Sequence, residues 1–268
     1  MKFVTAEDSQ LRCDHTPRPG APALLLLNSL GTSLEMWDDQ IAPLQQHFEV
    51  VRYDVRGHGK SSIGSRSELT LDQLARDALS VLDACGIART HLCGLSLGGM
   101  TAMQIARHWP DRVLKLVLSN TSPHMPPPQN WNTRISLVTT TGMSAVTEAV
   151  LARWFTDGFR ATQPERVETV RQMLLNTNPT GYAACCAAIR DMDLREDLKS
   201  IHATTLVIGG SKDTSTPPAD AELIANSISG ARLALLDAAH LSNIERAEEF
   251  TATVLEFFAA KLEAEPAV

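Results

Sequence analysis

The chain has little of what defines membrane, secreted or nucleic-acid-binding proteins. Its longest apolar run, Ala23–Leu27, is far too short to span a bilayer, and no apolar segment like a secretory signal follows Met1. There is no Lys- or Arg-rich run, and the formal net charge of -7 provides no basic field for nucleic acid or an anionic membrane. We therefore expect a cytoplasmic protein that binds neither nucleic acid nor membranes.

Cysteine is scarce, and its spacing indicates neither a disulfide framework nor a metal site. The five cysteines are an odd number without a Cys-x-x-Cys pair, and the adjacent Cys185 and Cys186 have neither metal-ligand spacing nor nearby histidines. Cys93 could be interpreted as a redox residue, but a small core residue is the simpler interpretation. We expect reduced, mostly buried thiols and no bound metal.

Apolar strand patterns alternate with helical patterns along most of the 268 residues. The predicted strands cover residues 2–5, 10–15, 23–27, 48–53, 90–93, 113–118, 205–209 and 232–236, and the predicted helices between and after them cover 36–47, 71–85, 97–108, 218–227 and 247–260. This alternation predicts an α/β fold with a mostly parallel central sheet and helices on both faces, and the first two strands should form an antiparallel edge pair.

The alternation stops after Ser119, where a proline-rich stretch begins. Residues from about 130 to 199 form helical patterns, for example 145–155, 164–176 and 180–192, without an intervening strand. Helices inserted between two strands of one sheet would form a lid over its C-terminal edge, where open α/β sheets bind ligands. The sequence thus predicts a core domain of residues 1–122 and 200–268 and a helical lid of residues 123–199.

A Gly-x-Ser-x-Gly pentapeptide occupies residues 94–98, between a predicted strand and a predicted helix. In that context it is typical of a nucleophile elbow, a turn so sharp that glycine is needed on both sides of the serine. The serine oxygen would be exposed above the sheet, and the N-terminus of the following helix would lie beneath developing negative charge. Ser96 is therefore the candidate nucleophile, although the pentapeptide alone could also be an ordinary tight turn.

A serine nucleophile needs a base, and the base needs a partner that holds its tautomer. Asp213 directly follows the predicted strand 205–209, and His240 follows the predicted strand 232–236, so both should lie on loops at the edge that displays Ser96. The chain order Ser96, Asp213, His240 is the order of α/β-hydrolase triads. Taken singly, Asp213 could be a helix cap and His240 an ordinary histidine.

An oxyanion hole requires two backbone N–H groups directed at the tetrahedral oxygen. Leu97, the residue after the nucleophile, should donate one of them. The second should come from the loop after strand 23–27, and we select Leu30 there. The alternative is that this loop is a glycine-containing turn without a donor role.

With these elements placed, residues from about 23 to 258, the lid excepted, resemble the α/β-hydrolase superfamily. The Asp-x-Arg-Gly-x-Gly-x-Ser segment at residues 54–61 is similar to one that shapes the sheet edge in these enzymes, and we interpret Asp54 and Arg56 as structural. Many members have His-Gly before the oxyanion residue where this chain has Asn28-Ser29. Because the oxyanion donor is a backbone N–H group, a different pair of side chains before it does not remove the donor.

Within the superfamily, residues 25–32, 93–100 and 210–218 look like the 3-oxoadipate enol-lactonase family. The resemblance implies hydrolysis of 3-oxoadipate enol-lactone to 3-oxoadipate in aromatic degradation, without a cofactor. The free carboxylate of such a lactone would need a cation from the lid. Arg134 and Arg153 are available, with Trp131 and Trp154 as aromatic walls, although each could equally be a solvated arginine or a packed tryptophan.

Other functions use the same three residues. A carboxylesterase, a carbon–carbon bond hydrolase or a perhydrolase could use this triad, and the shape of the lid would decide among them. A haloalkane dehalogenase is disfavoured because its nucleophile is a carboxylate. A binding protein on a hydrolase scaffold would be expected to have lost a triad member, and all three are present. A small-molecule lactone or ester is thus the expected partner, and the oligomeric state stays open.

Overall fold

An eight-stranded sheet organises the protein, in a computed structural model that describes residues 1–65 and 68–260. The strands are β1 (Lys2–Ala6), β2 (Ser9–Thr16), β3 (Ala23–Leu27), β4 (Glu49–Tyr53), β5 (Thr90–Leu95), β6 (Val113–Ser119), β7 (Thr204–Gly210) and β8 (Arg232–Leu236). Their order across the sheet is β1-β2-β4-β3-β5-β6-β7-β8. β2 is antiparallel to β1 and β4, and every other pair is parallel. The predicted α/β fold with a mostly parallel sheet is confirmed.

The centre of the sheet forms because its strands are apolar on both faces. All five residues of β3 are buried, and β3 pairs in parallel with β4 on one side and β5 on the other. A strand in that position has no solvent-facing side, which explains its run of leucines. Cys93 of β5 is likewise buried, as expected for a small core residue.

Eleven α-helices occur among the described residues. They are α1 (Asp38–Leu44), α2 (Leu71–Ala84), α3 (Leu97–His108), α4 (Pro128–Thr141), α5 (Ser144–Trp154), α6 (Asp157–Thr162), α7 (Pro164–Asn176), α8 (Pro179–Asp191), α9 (Pro218–Ser227), α10 (Ser242–Glu245) and α11 (Ala247–Ala259). Short 3₁₀ helices cover Leu34–Trp37, Pro110–Arg112 and Leu198–Ser200. α2 packs against α3 and α1 packs against α11, so two groups of helices flank the sheet.

The predicted helix at 36–47 is wrong at both ends. The chain first forms the 3₁₀ turn Leu34–Trp37, and α1 then runs only from Asp38 to Leu44. Pro43 lies in its last turn, where it removes one backbone N–H and its ring crowds the preceding turn. The helix ends at Leu44, one residue after Pro43. The helices α6 and α10 were not anticipated by the sequence patterns.

The helices α4 to α8 all lie between β6 and β7, as the sequence predicted. We call residues 123–199 the insert. Because the parallel strands end at one edge of the sheet, the residues after β5, β7 and β8 meet there. Residues 66–67 and 261–268 of the predicted core domain lie outside the described residues.

The segment at 54–61 makes structural contacts. Arg56 is fully buried and donates to both carboxylate oxygens of Asp77 on α2 (2.7 and 2.6 Å). Asp54 accepts from the backbone N–H groups of Leu34 (2.7 Å) and Lys60 (2.9 Å). These bonds tie the loops after β3 and β4 to the core.

Among residues 1–65 and 68–260, no helix combines the length and apolarity that crossing a membrane would require.

Candidate active site

Ser96 lies between the last residue of β5 and the first residue of α3, with φ 58° and ψ -117°. This left-handed backbone is uncommon for a residue other than glycine and persists only where neighbours hold it. Ser96 N–H donates to Ser119 O (3.0 Å), and Thr121 Oγ1 donates to Ser96 O (2.8 Å). The strand-to-helix turn is therefore fixed by the end of the adjacent strand β6.

Glycine on both sides of Ser96 is required by close backbone contacts. A Cβ atom on Gly94 would collide with the carbonyl of Gly98, and one on Gly98 would collide with the carbonyl of Leu27 at the end of β3. The predicted elbow geometry thus has a direct steric basis.

Asp213 and His240 meet at the ends of β7 and β8. His240 Nδ1 lies 2.8 Å from Asp213 Oδ2, and both side chains are buried. Because an ionised carboxylate only accepts hydrogen bonds, Nδ1 carries a proton, and in the neutral imidazole the other ring nitrogen, Nε2, is then an acceptor. Ser96 and His240 line the same cavity. The three residues that sequence reasoning selected are therefore gathered at one edge of the sheet.

The carboxylate of Asp213 is surrounded by donors. Oδ1 accepts from the backbone N–H groups of Ser215 (2.8 Å) and Thr216 (3.0 Å), and Oδ2 accepts from Thr216 Oγ1 (2.8 Å) and Asn120 Nδ2 (3.1 Å). Burial by itself would raise the pKa of Asp213, but the adjacent His240 and these hydrogen bonds hold that pKa below its ordinary value. The group is therefore ionised at neutral pH.

Sequence reasoning missed Thr216 and Asn120. Thr216 follows Asp213 by three residues, and an aspartate that accepts from N–H groups two and three positions on is a common turn signal that could have identified it. Asn120 follows directly after β6, and the only available signal was a polar residue at the carboxyl end of a buried strand.

The two predicted oxyanion donors are backbone N–H groups at the ends of β3 and β5. Thr32 N–H donates to Ser29 O (3.2 Å), which closes a turn with Leu30 at its second position and Gly31 at φ +79°. Leu97 is the first residue of α3. Within residues 1–65 and 68–260, neither Leu30 N–H nor Leu97 N–H donates a hydrogen bond. Leu30 lines the cavity, whereas the side chain of Leu97 belongs to the core, so Leu97 would contribute only its N–H.

The cavity has a volume of about 360 Å³. It is lined by Ser96 and His240 and also by residues of α4, α5 and α8. All four residues predicted to contact substrate line it, namely Trp131, Arg134, Arg153 and Trp154. The structure therefore brings the predicted cations and aromatic walls together with the candidate nucleophile and base.

Arg134 and Arg153 are two cations that line the cavity. The Arg134 guanidinium lies 4.9 Å from the ring centroid of Trp131, and burial together with Arg134 lowers the pKa of Arg153. In the part of the chain that the structure describes, neither arginine forms an ion pair with a carboxylate. The arrangement can therefore accept an anionic group.

The insert contacts the loops that carry the candidate chemistry. The Trp154 ring stacks on His240 with centroids 6.1 Å apart, and Leu241 N–H donates to Trp154 O (3.1 Å). Thr177 Oγ1 donates to Gly31 O (3.2 Å) in the turn that presents Leu30 N–H. The insert thus contacts both the candidate base and the turn that carries one predicted oxyanion donor.

Comparison with known proteins gives consistent matches over almost the whole chain. The family model described as alpha/beta hydrolase fold matches residues 22–247. 3-oxoadipate enol-lactonase 2 of Acinetobacter baylyi is 37% identical, with 94% of each chain covered. The crystal structure of the enol-lactonase from Burkholderia xenovorans is similar with a TM-score of 0.94 and 39% identity, covering 96% of this chain and 100% of that one. A hydrolase from Pseudomonas aeruginosa has a TM-score of 0.93 and 43% identity, covering 97% of this chain and 98% of that one.

Proposed function

The chain belongs to the α/β-hydrolase family, and on that premise we propose that it hydrolyses 3-oxoadipate enol-lactone to 3-oxoadipate with Ser96, His240 and Asp213 as its triad. The observation that carries the proposal is that one cavity is lined by Ser96 and His240 and also by Arg134 and Arg153, which form no ion pair with a carboxylate among the described residues. Two half-buried cations beside the candidate nucleophile favour a substrate that carries a negative charge. The enol-lactonase names of two similar proteins support the same substrate class.

In the first half of the reaction, Ser96 Oγ attacks the lactone carbonyl while His240 Nε2 accepts the serine proton. The negative oxygen that develops accepts hydrogen bonds from the N–H groups of Leu30 and Leu97. Asp213, ionised and bonded to Nδ1, stabilises the imidazolium that forms. Collapse of the tetrahedral intermediate breaks the bond to the ring oxygen, which leaves as an enol after it takes the proton from His240.

In the second half, a water molecule attacks the acyl-enzyme and gives its proton to His240, which returns it to Ser96 Oγ. The ring-opened product ketonises to 3-oxoadipate. Because the leaving group is an enol, which is a better leaving group than an alkoxide, the demand on the acid step is modest. Every step uses side chains, backbone N–H groups and water. The reaction would place the protein in the degradation of aromatic compounds.

We also propose that the insert, residues 123–199, is a lid domain on a core of residues 1–122 and 200–268. Its residues Arg134 and Arg153 would bind the carboxylate of the lactone, and Trp131 and Trp154 would form apolar walls around the ring. The stacking of Trp154 on His240 supports this role, because it places a lid residue against the base.

The test is hydrolysis of the enol-lactone beside a neutral aryl ester by the purified protein. Ser96→Ala deletes only the nucleophilic oxygen, so we expect kcat/KM to fall by at least about a thousandfold while the fold is kept. His240→Ala and Asp213→Asn should also be strongly impaired, the latter because an amide supports the wrong tautomer and carries no charge.

Ser80→Ala is the matched control, because Ser80 lies on α2 outside the cavity and donates only to Arg76 O. It should keep wild-type activity. A folded Ser96→Ala variant with wild-type kcat/KM would refute the proposed site. Wild-type protein that hydrolyses aryl esters but not the lactone would refute the proposed substrate.

A further inference from the structure

Asn120 lies where the ends of three strands meet. It follows the last residue of β6, its N–H donates to Ile208 O of β7 (2.8 Å), and its side chain is buried. Its φ of +42° is in the left-handed region, which asparagine tolerates better than most residues. The backbone therefore directs this side chain between the loops that follow β7 and β8.

Hydrogen bonds on both sides of the Asn120 amide fix its orientation. Oδ1 accepts from Ser119 Oγ (2.9 Å) and Ser242 Oγ (2.6 Å). Nδ2 donates to Asp213 Oδ2 (3.1 Å) and to Ala239 O (3.1 Å). An ionised carboxylate and a backbone carbonyl can only accept, so a flipped amide would lose both of these bonds.

The two hydrogens of Nδ2 thus bridge the acid and the loop that carries the base, because Ala239 directly precedes His240. Close packing makes the bridge possible. A Cβ atom on Gly210 would lie 3.0 Å from Asn120 Nδ2 and would collide with the carbonyl of Ala239. Glycine at position 210 therefore leaves room for both the Asn120 amide and the loop that carries Ala239.

We propose that Asn120 is a positioning residue, which holds the Asp213 carboxylate and the His240 loop in register through its two N–H donors. The inference rests on the proposed function, since it assigns Asn120 a role only through Asp213 and His240. Asn120 does not line the cavity, so it would act on the base and not on the substrate.

The titratable groups around Asn120 define how a substitution would behave. Asp213 comes from the loop after β7 and His240 from the loop after β8, and the carboxyl of Asp220 on α9 interacts electrostatically with that of Asp213. The amide of Asn120 is neutral and donates at every pH. A carboxyl group at position 120 would donate to Asp213 Oδ2 only while protonated, and burial beside the Asp213 charge would keep it protonated well above its ordinary range.

The experiment compares Asn120→Ala and Asn120→Asp with wild type, using a neutral aryl ester between pH 6 and pH 9. Loss of a buried hydrogen bond to a charged group should lower kcat of Asn120→Ala about 10- to 100-fold at every pH, with KM within about twofold. Asn120→Asp should be the more active of the two variants at pH 6. By pH 9 the kcat of Asn120→Asp should have fallen to that of Asn120→Ala, because the carboxyl group loses its proton, whereas wild-type kcat should show no such fall.

Asn226→Asp, an exposed change on α9, is the charge-matched control and should keep the wild-type profile. The NMR signal of the His240 Nδ1 proton is a readout that needs no substrate, and Asn120→Ala should move it while Asn226→Asp should not. If the position 120 variants do not fold, Ser242→Ala tests the same bridge, because it removes only one donor to Asn120 Oδ1 and should lower kcat several-fold.

Wild-type kcat and an unmoved Nδ1 signal in Asn120→Ala would overturn the proposal. Equal kcat values for Asn120→Asp and Asn120→Ala at every pH would also overturn it. For unfolded position 120 variants, wild-type kcat in Ser242→Ala would overturn it. These results are distinct from a failure of the proposed function. The substrate proposal is judged on the lactone alone, and the nucleophile is judged on Ser96→Ala.

Discussion

Replacing Arg134 or Arg153 with glutamine should separate recognition of an anionic lactone from the chemistry of ester cleavage. Both arginines line the same cavity as Ser96, and neither has a carboxylate partner within the described residues. Burial and the neighbouring Arg134 lower the pKa of Arg153, which indicates two like charges held close together in a partly dry site. A bound carboxylate would relieve that repulsion.

The expected magnitude follows from the kind of bond that is lost. A hydrogen bond to a charged group contributes about 1.5 to 3 kcal/mol, and each 1.4 kcal/mol corresponds to about a tenfold change. Removing the arginine that binds the carboxylate should therefore lower kcat/KM for the anionic lactone about 10- to 100-fold. A neutral aryl ester loses no charged contact, and its kcat/KM should change less than about threefold.

The assay measures kcat/KM of wild type, Arg134→Gln, Arg153→Gln and the double variant on both substrates. Arg195→Gln is the matched control, because Arg195 is an exposed arginine of the insert that pairs with Asp193 outside the cavity. Arg134→Gln also removes the cation over Trp131, so a loss on both substrates for this variant alone would indicate a packing effect. Equal losses on both substrates for each arginine, or no loss on either, would refute the reasoning.

Two further predictions concern the elbow and the acid stability of the fold. Gly98→Ala should abolish hydrolysis and lower the melting temperature, because the added Cβ would collide with the Leu27 carbonyl; a folded, active variant would contradict the steric argument. Burial lowers the pKa of His58 to about 4 from an ordinary value of 6.5. As pH falls below 6.5 the unfolded chain binds the proton first, so the free energy of unfolding should fall by up to about 3 kcal/mol by pH 4. Urea denaturation at pH 7 and pH 4.5 measures this change, and the free energy of unfolding of His58→Asn should depend less on pH. An equal dependence on pH in wild type and His58→Asn would contradict the prediction.

Local sequence determined the parts of the protein that depend on local geometry. The leucine run of β3 is typical of a strand buried on both faces, and a Gly-x-Ser-x-Gly pentapeptide between a strand and a helix is typical of a sharp turn. The placement of Asp213 and His240 after successive parallel strands followed from topology, because parallel strands end at one edge. The bounds of α1 were mispredicted, because the chain forms a 3₁₀ turn at Leu34–Trp37 and α1 ends at Leu44.

Tertiary structure alone decided which distant side chains meet. Asn120 lies 93 residues from Asp213 and 122 residues from Ser242, and no periodicity in the sequence relates them. Their contact depends on how closely the ends of β6, β7 and β8 approach, which Gly210 permits. The presence of Arg134 and Arg153 in one cavity likewise depends on how α4 and α5 pack. Helix and strand patterns report which face of an element is buried, but the partner across the interface is set by packing of the whole chain.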